Sequence, residues 1–154
     1  MRIGFPSGIY GEATYRRSRE GTLEHRVGKH SAHYIAQEYE DAVAAVRPGV
    51  DVLLTHDTTG RRGITQRTGN FGEVGDERVR ALIESSGALL SLHGHMHFAH
   101  RATVGTTEVA CLAIVGSYSS DPFASVGLWD IDPVGRAVKR LVRSYVGLGV
   151  GLWG

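Results

Sequence analysis

Two short apolar runs constrain this chain more than any other feature: Val50-Asp51-Val52-Leu53-Leu54-Thr55 and Ala88-Leu89-Leu90-Ser91-Leu92. Each is too short for a core helix and too continuously apolar for a strand with one wet face. That is the pattern of strands buried inside a mostly parallel sheet. Between them, Asp76 to Glu84 puts Val79, Leu82 and Ile83 on one helical face, and Ser85-Ser86-Gly87 ends it. Strand, helix and strand make one βαβ unit, so the two strands run parallel and finish at the same sheet edge. The expected class is α/β. One run ends in His56-Asp57 and the other in His93-Gly94-His95-Met96-His97.

The flanking segments fill in around this unit. Arg2 to Pro6 reads as an opening strand and Ser7 to Gly11 as a turn, where Gly8 and Gly11 relieve the φ restriction. Glu12 to Lys29 is polar without an apolar period and is expected to be a long loop. Tyr34, Ile35, Tyr39, Val43 and Val46 recur at helical spacing, which predicts a helix from Ser31, as N-cap, to Val46, stopped by Pro48-Gly49. Thr58 to Gly75 is too long for a connector and reads as a functional loop. Strands are predicted over Thr107 to Val115, Val126 to Ile131 and Ala137 to Tyr145, the last pairing at an edge. The chain is organised as one domain, 1–154: a loop and helix over 1–49, the βαβ unit over 50–100 and C-terminal strands over 101–154.

Composition narrows the function classes. Seventeen basic and sixteen acidic side chains leave a formal charge of +1, too weak a field to argue by itself for nucleic acid or membrane. The charge-free apolar runs Val109 to Ser120 and Tyr145 to Gly154 fall short of the ~20 apolar residues of a membrane span. No apolar stretch of signal-peptide length opens the chain, so a cytoplasmic location is expected. Cys111 is the single cysteine, which excludes an internal disulfide. Glycine, at 21 of 154 residues, is about twice its usual ~7% share. Four of the eight histidines crowd between His93 and His100.

Those histidines carry the chemistry. In open α/β sheets ligands bind at the carboxyl ends of strands, where His56, His95 and His97 are all expected. Gly94 admits close backbone approach, and neutral imidazoles suit Zn, Mn or Fe. A metal held there lowers the pKa of bound water toward ~7 and polarises a phosphoryl oxygen. His93 is expected in the core or behind the ligands. His25, His30, His33 and His100 are expected to be solvated or to flank helices.

Val52-Leu53-Leu54-Thr55-His56-Asp57 and Leu92-His93-Gly94-His95-Met96-His97 resemble, in order and separation, the last two motifs of the calcineurin-like metallophosphoesterases. Ser7-Gly8-Ile9-Tyr10, followed by Tyr15-Arg16-Arg17, is similar to the stretch after the third motif in lariat-debranching-type members. The resemblance covers roughly Ile3 to Ser117. It implies the C-terminal half of a four-layer α/β/β/α sandwich that hydrolyses phosphomonoesters or phosphodiesters with two divalent metal ions. His97 then corresponds to a ligand of the first metal, and His56 and His95 to ligands of the second. Tyr15, Arg16 and Arg17 are the substrate-binding candidates.

The family's three earlier motifs, Asp-x-His, Gly-Asp-x-x-Asp and Gly-Asn-His-Asp/Glu, do not occur here. With them go the bridging Asp and the histidine that protonates the leaving group, so no catalytic residue is named. Three neutral imidazoles do not offset two divalent ions, which need carboxylates. The expectation is an incomplete phosphoesterase, completed by a separate N-terminal half or by a homo-oligomer. The partners expected are a phosphate-ester substrate, with nucleic acid among the substrates admitted, and no membrane. Two alternatives stand beside it. One is a non-catalytic metal- or nucleic-acid-binding module, since residues 1–30 carry six Lys/Arg against three Glu. The other is a mononuclear three-histidine hydrolase.

Overall fold

A computed structural model describes residues 1–6, 8–20, 28, 32–47, 49–59, 75–95, 100–112 and 127–141. The elements are β1 (Ile3–Gly4), α1 (Glu12–Tyr15), α2 (Ala36–Val46), β2 (Val52–Thr55), α3 (Glu77–Ser86), β3 (Leu90–His93), β4 (His100–Val104), β5 (Thr107–Cys111), β6 (Trp129–Asp132) and β7 (Ala137–Arg140). The fold is mixed α/β around a five-stranded sheet ordered β1-β2-β3-β5-β4, with β6 and β7 forming a separate two-stranded sheet. β1, β2, β3 and β5 run parallel, and β4 returns antiparallel along β5. Among the described residues no helix is long and apolar enough to cross a membrane.

The βαβ unit forms as its residues dictate. β2 pairs with β3 in parallel, Val52 opposite Leu90 and Thr55 opposite His93. Asp76 caps α3, its carboxylate accepting from the Arg78 N–H at 2.8 Å, and Gly87 ends the helix in the left-handed region at φ 59°. The core gathers Val46 from α2, Val79, Leu82 and Ile83 from α3, and Leu53 and Val109 from the sheet. Leu53, Ile83 and Val109 are fully buried. Leu54 and Leu92, on the opposite face by strand alternation, are half-buried.

Three differences from the sequence reading, at α1, α2 and β4, have a local reason. The polar segment after Gly11 opens with a helical turn, because the Gly11 carbonyl accepts from both the Thr14 and Tyr15 N–H groups at 2.9 and 2.8 Å. Four residues are too few to show a period. α2 starts at Ala36 because Ala32 to Tyr34 pair with Ile9 instead, in a parallel bridge between Ile9 and His33. Glu38 then accepts from the Ile35 N–H at 3.1 Å and closes the first turn; Ser31, the expected N-cap, lies outside the described residues. β4 gives no strand signal in the sequence because it opens on His100-Arg101; Gly105, at φ 58°, turns it into β5. β7 pairs with β6, as an edge hairpin tied to β5 by the Trp129 indole N–H, which donates to Glu108 at 3.1 Å. The elements expected within 60–74, 113–126 and 142–154 lie outside the described residues.

Candidate metal centre

The register of β2 and β3 brings His56 and Gly94 to the same edge, one residue beyond the paired Thr55 and His93. Strand alternation breaks there. His93 turns inward, buried, with its Nε2 2.8 Å from the Thr58 hydroxyl. His95 adopts φ 62°, rare for a residue with a side chain. Such conformations concentrate at functional sites. The result sets His95 Nδ1 3.4 Å from His56 Nε2, with the rings edge to face at 5.3 Å. Both side chains are exposed. Two of the three predicted ligands are thus together; His97 lies outside the described residues. Among the described residues no group of three or more His, Cys, Asp or Glu is arranged to hold a metal.

The neighbouring groups fix this crest from below. The Cys111 thiol donates to the Gly94 carbonyl at 3.2 Å, and the Thr55 hydroxyl donates to the Asp57 carbonyl at 2.9 Å. Asp57 does not join the imidazoles as a free carboxylate. It is buried, accepting from the Thr58 N–H at 2.8 Å and the Tyr10 N–H at 3.4 Å. Burial raises its pKa above the usual carboxylate range, against the pull of those two N–H groups and of His95. Beneath it lies a cavity of about 110 Å³ walled by Tyr34, Glu38, Tyr39 and Leu82.

Of the substrate candidates, Tyr15 sits in an aromatic cluster, 5.3 Å from Tyr10 and 6.0 Å from Tyr34. Arg16, just past α1, is exposed and ion-paired with Glu12, and Arg17 is exposed. Arg78 was missed. Its guanidinium lies 4.0 Å from the Tyr10 ring centre and 4.4 Å from that of Tyr15. Asp76 accepts from it at 3.2 Å and from the Tyr34 hydroxyl at 3.0 Å. Asp76 stood at the start of the predicted helix, but a lone Arg two positions on carries no sequence signal.

No protein-family model matches the sequence, and no curated protein matches it. Among solved structures the chain is similar to the crystal structure of TT1561 of Thermus thermophilus, at 17% identity and a TM-score of 0.41. The match covers 71% of this chain and 43% of that one, so it spans less than half of TT1561. At that level the likeness is a loose one of fold.

Proposed function

We propose that this chain carries part of a metal-dependent phosphoesterase site, with His56 and His95 as ligands of one divalent ion. The observation that carries the reading is the 3.4 Å separation of His95 Nδ1 and His56 Nε2. Two imidazole nitrogens bound to one tetrahedral zinc at 2.0–2.1 Å stand about 3.3 Å apart. A direct N–H···N hydrogen bond is normally shorter. The donor set therefore fits a borderline metal such as Zn, Mn or Fe. The parallel sheet with α2 and α3 sharing one core supports one half of a four-layer sandwich.

In this reading His56 and His95 hold the metal, and His97 is the proposed further ligand. A bound divalent ion supplies Lewis-acid polarisation of the phosphoryl group and an activated water. His93 and Thr58 keep the segment after His56 in place, and the Cys111 thiol holds the turn that presents His95. The substrate class is a phosphomonoester or phosphodiester.

The test is zinc and manganese binding by the full chain and by His56→Ala and His95→Ala, with hydrolysis of a chromogenic phosphodiester in Mn²⁺ read alongside. Loss of one ligand is expected to weaken metal binding about 100-fold or more, as removal of ~3 kcal/mol does. A chain that binds no metal, or binds it equally in both variants, overturns the reading.

A further inference from the structure

We propose that Arg78 is an anion-binding group, taking a phosphoryl oxygen of the substrate, on supports fastened to the strand end that presents His56. The choice of ligand rests on the phosphoesterase reading; the site itself rests on its own geometry. Tyr10 and Tyr15 hold the guanidinium at 4.0 and 4.4 Å from their ring centres. Asp76 takes one of its terminal nitrogens at 3.2 Å. The carboxylate is itself fixed by the Tyr34 hydroxyl and the Arg78 N–H. An arginine side chain normally gives up substantial rotamer freedom on binding; here that ordering is already done.

The site is held but not closed. The Arg78 side chain keeps 34% of its exposure. A guanidinium offers five N–H donors in a planar fork that matches two phosphate oxygens. Contacts to two ring faces, a hydrogen bond to the Tyr15 hydroxyl and one to a carboxylate oxygen occupy two of its five N–H donors and leave part of that fork for an oxyanion.

Its anchors also place it. The Tyr10 N–H donates to the Asp57 carboxylate at 3.4 Å, and the Asp76 N–H donates to the Thr58 carbonyl at 3.0 Å. Asp57 and Thr58 are the two residues that follow His56. Two residues span at most about 8 Å of Cα path, so both supports of Arg78 are fastened to the strand end that presents the histidine. Arg16 and Arg17, the basic residues singled out by sequence, lie exposed, and Arg16 is engaged by Glu12.

The experiment uses the full chain freed of metal by chelation, with inorganic phosphate and phenyl phosphate as probes in calorimetric titrations. Arg78→Gln is expected to weaken both about tenfold or more, the loss typical of a charge-assisted hydrogen bond. Arg78→Lys, which keeps the charge and loses the fork, is expected to weaken both by a smaller factor. Arg80→Gln, a cation on the same helix paired with Glu84, is expected to change nothing. Near-UV circular dichroism of the tyrosines tells loss of the contact from loss of the cluster, and the Lys variant carries the test if the Gln variant disturbs packing. Binding unchanged in both Arg78 variants overturns the proposal, as does absence of binding to the native chain at about 10 mM, a level weaker than useful recognition. Loss of inorganic phosphate alone overturns the assignment to substrate. Because no metal is present, these outcomes are independent of whether His56 and His95 bind one.

Discussion

Replacing Asp76 with Ala removes three supports at once, and their sum can be worked from the structure. The first is the helix cap, where the carboxylate accepts from the Arg78 N–H at 2.8 Å; losing such a cap costs about 1 kcal/mol. The second is the acceptor for Tyr34, whose hydroxyl donates at 3.0 Å from a side chain only 9% exposed. A buried hydroxyl left without a partner costs about 1–3 kcal/mol. The third is the ion pair to Arg78, which is one-third exposed and so contributes only a few tenths of a kcal/mol. The total is about 3 kcal/mol, a large share of the ~5–15 kcal/mol of a typical domain. Urea unfolding followed by far-UV circular dichroism measures it. Asp76→Asn keeps a capping oxygen and is expected to cost about 1 kcal/mol. Combining Asp76→Ala with Tyr34→Phe is expected to recover about 1–2 kcal/mol, since the orphaned hydroxyl is gone. An Ala variant costing less than about 1 kcal/mol, or a strictly additive double mutant, refutes the reasoning.

Leu53→Ala opens a cavity at a fully buried position in the centre of the sheet and is expected to cost about 2–5 kcal/mol by the same assay; a smaller loss shows that the core collapses around it. Gly87 sits at φ 59° with open space around it, so Gly87→Ala is expected to cost about 1 kcal/mol from backbone strain alone, and Gly87→Asn less. Burial, then the neighbouring Asp76 carboxylate, raises the Tyr34 hydroxyl well above its ordinary pKa. Below about pH 10 the group is neutral in folded and unfolded chains alike and its contribution is fully present. Above that the unfolded chain releases the proton first, and stability falls by up to about 1.4 kcal/mol per pH unit. Urea midpoints across that alkaline range are therefore expected to drop less steeply in Tyr34→Phe, and equal slopes reject the assignment.

How far the sequence reached depended on how locally each feature is encoded. The strands over Val52–Thr55 and Leu90–His93 were legible because continuous apolar runs of that length have few other uses, and α3 because Asp76 and Gly87 bracket an apolar face. The parallel register then followed from chain connectivity. β4 was hidden because only Val104 of its five residues is both apolar and fully buried. α1 was hidden because its four residues are too few to show a period. The tyrosine and arginine cluster was beyond reach for a different reason: Tyr10 and Tyr15, Tyr34, and Arg78 come from three separate stretches of chain, and only the tertiary fold defines their contact.

The same contrast explains how the histidine pair keeps its geometry. Both imidazoles are exposed, so neither is held by packing of its own ring. The order comes from Thr58, two residues past His56. Its hydroxyl meets His93 at 2.8 Å, its N–H donates to Asp57 at 2.8 Å and its carbonyl accepts from Asp76 at 3.0 Å. Through those contacts the end of β2 is fastened to the end of β3 and to the start of α3. A site on exposed side chains keeps its geometry only when the backbone beneath is fixed from several directions. The buried polar groups Asp57, Thr58, Asp76 and His93 are costly in a small core unless each is hydrogen-bonded. Here Asp57, Thr58 and His93 meet those bonds at the ends of β2 and β3 and Asp76 at the start of α3, so the backbone that carries the two exposed imidazoles is tied down by groups whose loss is costly.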